Sequence, residues 1–274
     1  MLKSISAWAF KDLDNRTADS LLSEARKHGF DGIELTVGTK GLLTPDSTES
    51  DCARLVQAAK KHRIKISSMA SGLGWQFPLS APDQGRAVEV LKKCARIAGW
   101  LGVDCLLVVP GQVSSFNAQG PDHVPYDVCY RRMQAGIAEV IPAAAQAGVA
   151  LGIENVWNKV LLSPLEMRRF IDSFRSPWVA SYLDVGNMIL SGYAEDWVRI
   201  LGPRVRCVHC KDFKREVGTI AGFCDLLEGD VNYPEVMKAL REVGYEGSCV
   251  AEFFGLESKA LQKLSAAMDK ILAL

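Results

Sequence analysis

A chain of 274 residues with 48% hydrophobic content can bury one large core, and 32 basic residues against 32 acidic ones leave no net charge, so nothing advertises a nucleic-acid or acidic-membrane partner. The apolar stretch 1–10 is shorter than a signal h-region with its cleavage site, and no run elsewhere reaches the ~18 consecutive apolar residues of a membrane span. Eight cysteines are too sparse for a disulfide scaffold, so the expectation is a cytoplasmic protein with reduced thiols.

Strand-like apolar runs are expected at residues 5–9, 32–37, 64–70, 105–109, 149–154, 179–184, 205–211 and 248–253. Amphipathic helical patterns fall between them, among others at 18–27, 51–61, 85–99, 126–147 and 233–242. Gly29, Gly148 and Gly244 sit where a left-handed residue ends a helix before the next strand. Ser163, Pro164 and Glu166 read as an N-cap, a first-turn proline and a capping partner. Strict alternation of strand and helix argues a parallel sheet, and eight strands argue closure into a (β/α)8 TIM barrel, a single α/β domain over residues 1–274. No glycine fingerprint for a dinucleotide follows the first strand, which disfavours an open doubly wound sheet.

Four of these runs carry a metal-capable side chain at their downstream end or within two residues of it: Glu154, Asp184, His209 and Glu252, at spacings of 30, 25 and 43 residues. In a barrel the downstream strand ends gather on one face, so the four would meet around one site. Three carboxylates and one imidazole suit a divalent cation, with Mn²⁺ favoured and Mg²⁺ or Co²⁺ as alternatives. With these four facing inward, period-two alternation also turns Tyr182, Cys207, Val205 and Val250 inward, and Ile153, Leu183, Val208 and Ala251 toward the helices. The same alternation splits Cys207 and Cys210 between opposite faces, so this C-x-x-C spacing is not a thiolate zinc site.

The longer connections 71–83 and 110–125 follow strand ends and belong to the same face. Trp8, Trp75, Phe77, Phe116 and Trp157 are candidates for walls against which a sugar ring or chain packs, or for plain core residues. Glu34 ends the second strand facing inward, suited to a substrate hydrogen bond or to a structural ion pair. Lys211, two residues beyond His209 on the same face, is placed to meet a substrate oxygen or phosphate. Asn155, Asn158 and Asn187 are candidates for orienting ligands or hydroxyls. His28 and His62 follow lysines at helix ends and read as structural; His123 stays unassigned.

The strings Ile153-Glu-Asn155, Leu183-Asp-Val-Gly-Asn187, Val208-His-Cys-Lys-Asp212, Glu228-Gly-Asp-Val-Asn232 and Ala251-Glu252 resemble those of the sugar phosphate isomerase/epimerase family of xylose-isomerase-like barrels. Within it they are most similar to the ketose-phosphate 3-epimerases and hexulose-6-phosphate isomerase-like proteins. Free-ketose 3-epimerases commonly carry a histidine where this chain has Asn187, and a second glutamate where it reads Trp157-Asn-Lys-Val160. Arg215 matches the position of their substrate-contacting arginine.

The resemblance implies that Glu154, Asp184, His209 and Glu252 bind the metal, that Glu154 and Glu252 double as the proton-transfer pair through a cis-enediolate, and that the substrate is a small sugar or sugar phosphate. Glu34, Asn187, Lys211, Arg215, Trp157 and Trp75 form the candidate substrate-binding set. A homodimer or homotetramer is also implied. Aldose-ketose isomerisation, inosose-type dehydration and non-catalytic sugar binding stay open as alternatives. The abasic-site endonucleases, distant relatives of this barrel, need a multi-zinc cluster and a basic face that four histidines and zero net charge do not supply.

Overall fold

The structure is a computed structural model that describes residues 1–115 and 123–274. Its strands are β1 (Leu2–Ser6), β2 (Gly32–Val37), β3 (Lys65–Ser71), β4 (Cys105–Val108), β5 (Ala150–Glu154), β6 (Val179–Asp184), β7 (Val205–Cys210), a short hairpin of β8 (Asp212–Phe213) and β9 (Phe223–Cys224), and β10 (Ser248–Ala251). All but the hairpin pair in parallel and close in the order β1, β10, β7, β6, β5, β4, β3, β2. Helices α1 (Ala18–Lys27), α2 (Glu49–His62), α3 (Gly85–Leu101), α4 (Tyr126–Ala147), α5 (Pro164–Ser173), α6 (Ala194–Leu201), α7 (Tyr233–Glu242) and α8 (Ser258–Ala273) follow the strands. This is the (β/α)8 TIM barrel that the alternation of strand and helix implies. None of the helices among the described residues is long and apolar enough to cross a membrane.

Local chemistry sets the element ends. Thr48 and Asp51 form a capping box that starts α2 two residues before the expected point. Ser163 accepts from the Glu166 amide at 3.2 Å with Pro164 in the first turn of α5. Gly29, Gly148 and Gly244 all take positive φ after their helices.

The first strand differs from the expectation. It runs from Leu2 to Ser6, and Ala7–Ala9 form a 3-10 turn capped by the Ser6 hydroxyl. Lys3 and Ser4 interrupt the apolar signal, yet both are buried. The Lys3 ammonium donates to Ser265 Oγ at 2.8 Å and to Asp269 Oδ1 at 2.6 Å on α8, which makes its burial tolerable.

Two hydrophobic layers result. Ala70, Cys105, Leu107, Val109, Tyr182, Cys207 and Val250 fill the barrel interior, while Ile153, Leu183, Val208 and Ala251 pack in the larger core beneath the helices. Cys210 lies in that outer layer and Cys207 in the inner one, so the two thiols are split as alternation requires. Val205 is the exception. It packs in the outer core because the β6–β7 register shifts between Ser181 and Tyr182, pairing Ser181 with Val205 but Tyr182 with Cys207.

Gly152 leaves room for this interior. A Cβ there would stand 2.8 Å from Cys105 Sγ and 3.1 Å from Tyr182 Cβ. Gly152→Ala is expected to cost about 1–3 kcal/mol of stability through overpacking; an unshifted urea midpoint at constant slope would show that the interior has slack.

Candidate active site

Glu154 and Asp184 are the last residues of β5 and β6, His209 is the penultimate residue of β7, and Glu252 follows β10. Register brings them together, since Asp184 pairs with His209 and His209 with Val250. All four are buried, and one ligand atom from each falls within 4.8 Å of the others. His209 Nδ1 lies 3.0 Å from Glu252, 3.6 Å from Glu154 and 4.0 Å from Asp184.

Asp184 is set by its own turn. Its Oδ1 accepts from the amides of Gly186 at 2.8 Å and Asn187 at 2.9 Å, which leaves Oδ2 facing the cluster. Gly186 is required there, because a Cβ would meet Lys211 Cβ at 2.7 Å. Asn155 clamps the same strand end from β5, donating to the Asp184 carbonyl at 2.8 Å and accepting from its amide at 2.9 Å. Asn187 donates to the Asn155 carbonyl at 3.0 Å, and Asn158 ties the next turn to the Gly111 carbonyl at 2.8 Å.

His209 is set from below. Its Nε2 sits 3.1 and 3.3 Å from the two oxygens of Glu34, and Tyr182 and Ser68 donate to that same carboxylate. With Nε2–H directed at Glu34, Nδ1 is turned to the cluster, where a bound cation would take the lone pair in place of a proton. Glu34 therefore lies under the site rather than on the cavity wall, with both oxygens engaged by protein groups. The expected inward direction holds, and its neighbours within the structure are His209, Tyr182 and Ser68. The sequence signal for that support was Tyr182, already placed inward by alternation.

Fit to a cation can be judged from unsatisfied atoms. Asp184 Oδ2, His209 Nδ1 and Glu252 Oε2 are buried without hydrogen bonds, an arrangement natural proteins rarely leave uncompensated. Lys211 Nζ, 2.5 Å from Glu252 Oε2 and 3.1 Å from Asp184 Oδ2, ion-pairs with both carboxylates. Three convergent donors of carboxylate and imidazole type, with Glu154 beside them, could hold a divalent cation.

Burial opposes every charge here. It is outweighed at His209, which Glu252 and Glu34 hold well above the usual histidine range, and at Lys211, held above its range by Asp184 and Glu252. Glu252 is likewise held below the ordinary glutamate range, against its burial, by Lys211 and His209. At Asp184 and Glu154 burial dominates; Asp184 is raised and Glu154 is pushed up to about 7.

Above the cluster opens a cavity of about 780 Å³. Glu154, Glu252, Lys211, Asn187, Trp157 and Trp75 all border it. Trp157 donates from Nε1 to the Asn187 carbonyl at 2.8 Å and packs against Phe213 and Phe223 of the β8–β9 hairpin. Trp8 stacks on Phe254 at the rim, with ring centroids 5.9 Å apart.

Arg215 lies elsewhere. It is exposed in the connection between β8 and β9, its guanidinium 5.3 Å over the Tyr193 ring. Phe77 packs against the core with Arg86 over its ring, Phe116 lies outside the described residues, and His123 is exposed. His28 and His62 contact Ser258 and Asp19 at the outer surface, consistent with structural roles.

Residues 22–271 match the family of xylose isomerase-like TIM barrels. The chain belongs to that family. Among its relatives is the Escherichia coli (strain K12) protein named "Putative L-ribulose-5-phosphate 3-epimerase SgbU", 27% identical over 86% of this chain and 83% of the relative. Among solved barrels, D-psicose 3-epimerase from Clostridium cellulolyticum H10 superposes with a TM-score of 0.82 over 99% of both chains at 18% identity. An L-ribulose 3-epimerase superposes at 0.78 over 100% of this chain and 95% of that one, at 20% identity. At these identities the superpositions establish the xylose isomerase-like fold.

Two outcomes test the cluster. An acid whose pKa rises on folding, as that of Glu154 does from 4.5 to about 7, contributes stability that is complete below the lower value and is lost as pH rises through the upper one. A cation must displace that proton, so Mn²⁺ affinity is expected to tighten from about pH 6 to about pH 8 with proton release. Calorimetry in buffers of different ionisation enthalpy reads both effects, and a flat affinity across that window would contradict a protonated Glu154. Separately, Glu34→Ala is expected to weaken Mn²⁺ binding by about 10- to 100-fold by freeing the His209 ring; unaltered binding would show that Glu34 does not orient it.

Proposed function

We propose that this chain is a divalent-cation-dependent ketose 3-epimerase in which Glu154 and Glu252 transfer the protons. One observation carries the reading. Of the four clustered side chains, Glu154 and Glu252 border the cavity as well, whereas Asp184 and His209 lie fully buried behind them. The relatives and superposed barrels named as 3-epimerases of ketoses or their phosphates support it.

The two glutamates rise from β5 and from the end of β10, strands separated by β6 and β7 around the barrel, so they approach a ligand from different sides. A proton on carbon beside a ketone is weakly acidic. One carboxylate removes it, leaving a planar enediolate, and the carboxylic acid on the other side delivers a proton to the opposite face, which inverts C3. The cation, Mn²⁺ on the donor set, would be held by Glu154, Asp184, His209 and Glu252 and would supply the positive charge that steadies the oxygens of the enediolate.

The unequal environments suit these roles. In the cation-free site Lys211 and His209 hold Glu252 below the ordinary glutamate range while burial raises Glu154, so the two carboxyls differ in their hold on a proton. In the reverse reaction the roles exchange. Trp75 and Trp157 supply apolar walls for the sugar, and Asn187 and Lys211 supply polar contacts at the cavity floor.

NMR in D2O with Mn²⁺ across a panel of ketoses tests the assignment. Deuterium is expected at C3, together with the C3 epimer. Glu154→Gln is expected to lower turnover and exchange by about 10²- to 10⁴-fold while ketose binding persists. Label at C1 or C2 with an aldose product would make the enzyme an isomerase, and full exchange in the Gln variant would remove Glu154 from the proton path.

A further inference from the structure

We infer that the cavity is built for an uncharged ketose and discriminates against the terminal phosphate ester of the same sugar, an inference that rests on the epimerase reading of the site. TIM barrels commonly hold phosphate at backbone amides of the loops after their last strands and at a nearby helix N-terminus. In this chain an internal anion already occupies amides of the loop after β7, and the Gly255 and Leu256 amides after β10 are bonded to the Trp8 and Ala9 carbonyls. Asp212, bordering the cavity just after β7, accepts from the amides of Phe213 at 2.9 Å, Leu227 at 2.9 Å and Val231 at 3.1 Å, and from the backbone of Gly229. Gly229 lacks a side chain for this reason, since a Cβ would stand 2.2 Å from Asp212 Oδ1. The loop wraps a carboxylate as it would wrap a phosphate.

The adjoining helix starts offer an anion little, one being capped and the other opening on an acidic residue. Asn232 Oδ1 accepts from the Glu235 amide at 3.4 Å at the head of α7, and α8 begins on Glu257, an acidic residue paired with Lys11.

Side-chain charge points the same way. Lys211 is the basic residue among the described residues that border the cavity, and its ammonium is turned down between Glu252 and Asp184. Asp225 on the rim is paired with Lys263 at 2.6 Å, and Arg215 is held over Tyr193. The sequence of residues 116–122 contains no basic side chain. With a divalent cation in the cluster, its positive charge and that of Lys211 are more than balanced by Glu34, Glu154, Asp184 and Glu252. A phosphate monoester, carrying about −1.5 to −2 at neutral pH, would enter without a compensating cation. A neutral ketose needs none, and Trp8, Trp75, Trp157, Phe223 and Phe254 offer apolar faces to its C–H surfaces.

Tryptophan fluorescence of the Mn²⁺-loaded protein, titrated with free 2-ketopentoses and 2-ketohexoses and with the terminal phosphate ester of each, measures the selectivity directly. C3 deuterium exchange is followed on the same panel. The free sugar is expected to bind at least about tenfold more tightly than its ester, and the ratio is expected to shrink in Asp212→Asn, where the loop loses its internal charge. An ester that binds as tightly as its free sugar, or a panel in which no free ketose binds, would overturn the inference. An unchanged ratio in folded Asp212→Asn would overturn the part assigned to Asp212. Selective binding of free ketoses without C3 exchange would support the selectivity and refute the epimerase reading, so the two failures are told apart.

Discussion

The constraint on which the rest depends is the burial of charge at the downstream mouth of the barrel. Glu34, Glu154, Asp184 and Glu252 converge with His209 and Lys211 in a region almost shielded from water. Isolated ions in such a place cost far more than a domain's net stability, so each must be neutralised by another or by a bound cation. The surrounding architecture answers that demand in tiers. Glu34 holds His209 from below, assisted by Tyr182 and Ser68. Asn155 and the Gly186–Asn187 turn hold Asp184 from the side. Lys211 stands where excess negative charge remains. Removing one member leaves its partners buried and unpaired, so these positions are coupled and their substitutions will not add.

The geometry also separates holding from reacting. Asp184 and His209, fully buried and braced on several sides, are suited to keeping a cation in one place. Glu154 and Glu252 are ligand-capable and border the cavity as well, so each has one side toward the cluster and another toward a ligand. On the proposed reading this double exposure is what couples cation and proton transfer, because the groups that fix the positive charge also reach the carbon whose proton it acidifies. A barrel supplies such pairs readily, since strands far apart in sequence deliver their last residues to one ring.

Most of this was legible in the sequence, for a specific reason. A polar residue at the end of an apolar run is conspicuous, and period-two alternation then fixes the direction of its neighbours. That logic located Glu154, Asp184, His209 and Glu252 and put Tyr182 and Cys207 in the interior. It gave way where the pattern was locally broken. Lys3 and Ser4 disguised the start of β1, and the partners that make burial of Lys3 tolerable, Ser265 and Asp269, lie more than 260 residues away. Val205 was assigned to the wrong face because a register irregularity beside Ser181 leaves no mark on composition. The depth of Glu34 was equally hidden, since strand position gives a side chain's direction while only the closed barrel shows that His209 lies between it and the cavity.

The β8–β9 hairpin was the least legible part, although its residues were in plain view. Asp212 stands in an acidic and basic run, Lys211-Asp-Phe-Lys-Arg-Glu216, that reads as solvated charge. In the fold it is buried and gathers amides from both ends of the excursion 213–231. That excursion carries Phe223 against Trp157, and Trp157 in turn donates to Asn187 beside Asp184. One carboxylate thus shapes the wall of the cavity from outside the four-residue cluster and, on the proposed reading, helps set the charge a ligand meets there through the amides it occupies. Sequence periodicity reports which face a residue takes; it does not report which backbone amides a carboxylate will collect, and in this barrel that is where the character of the cavity is decided.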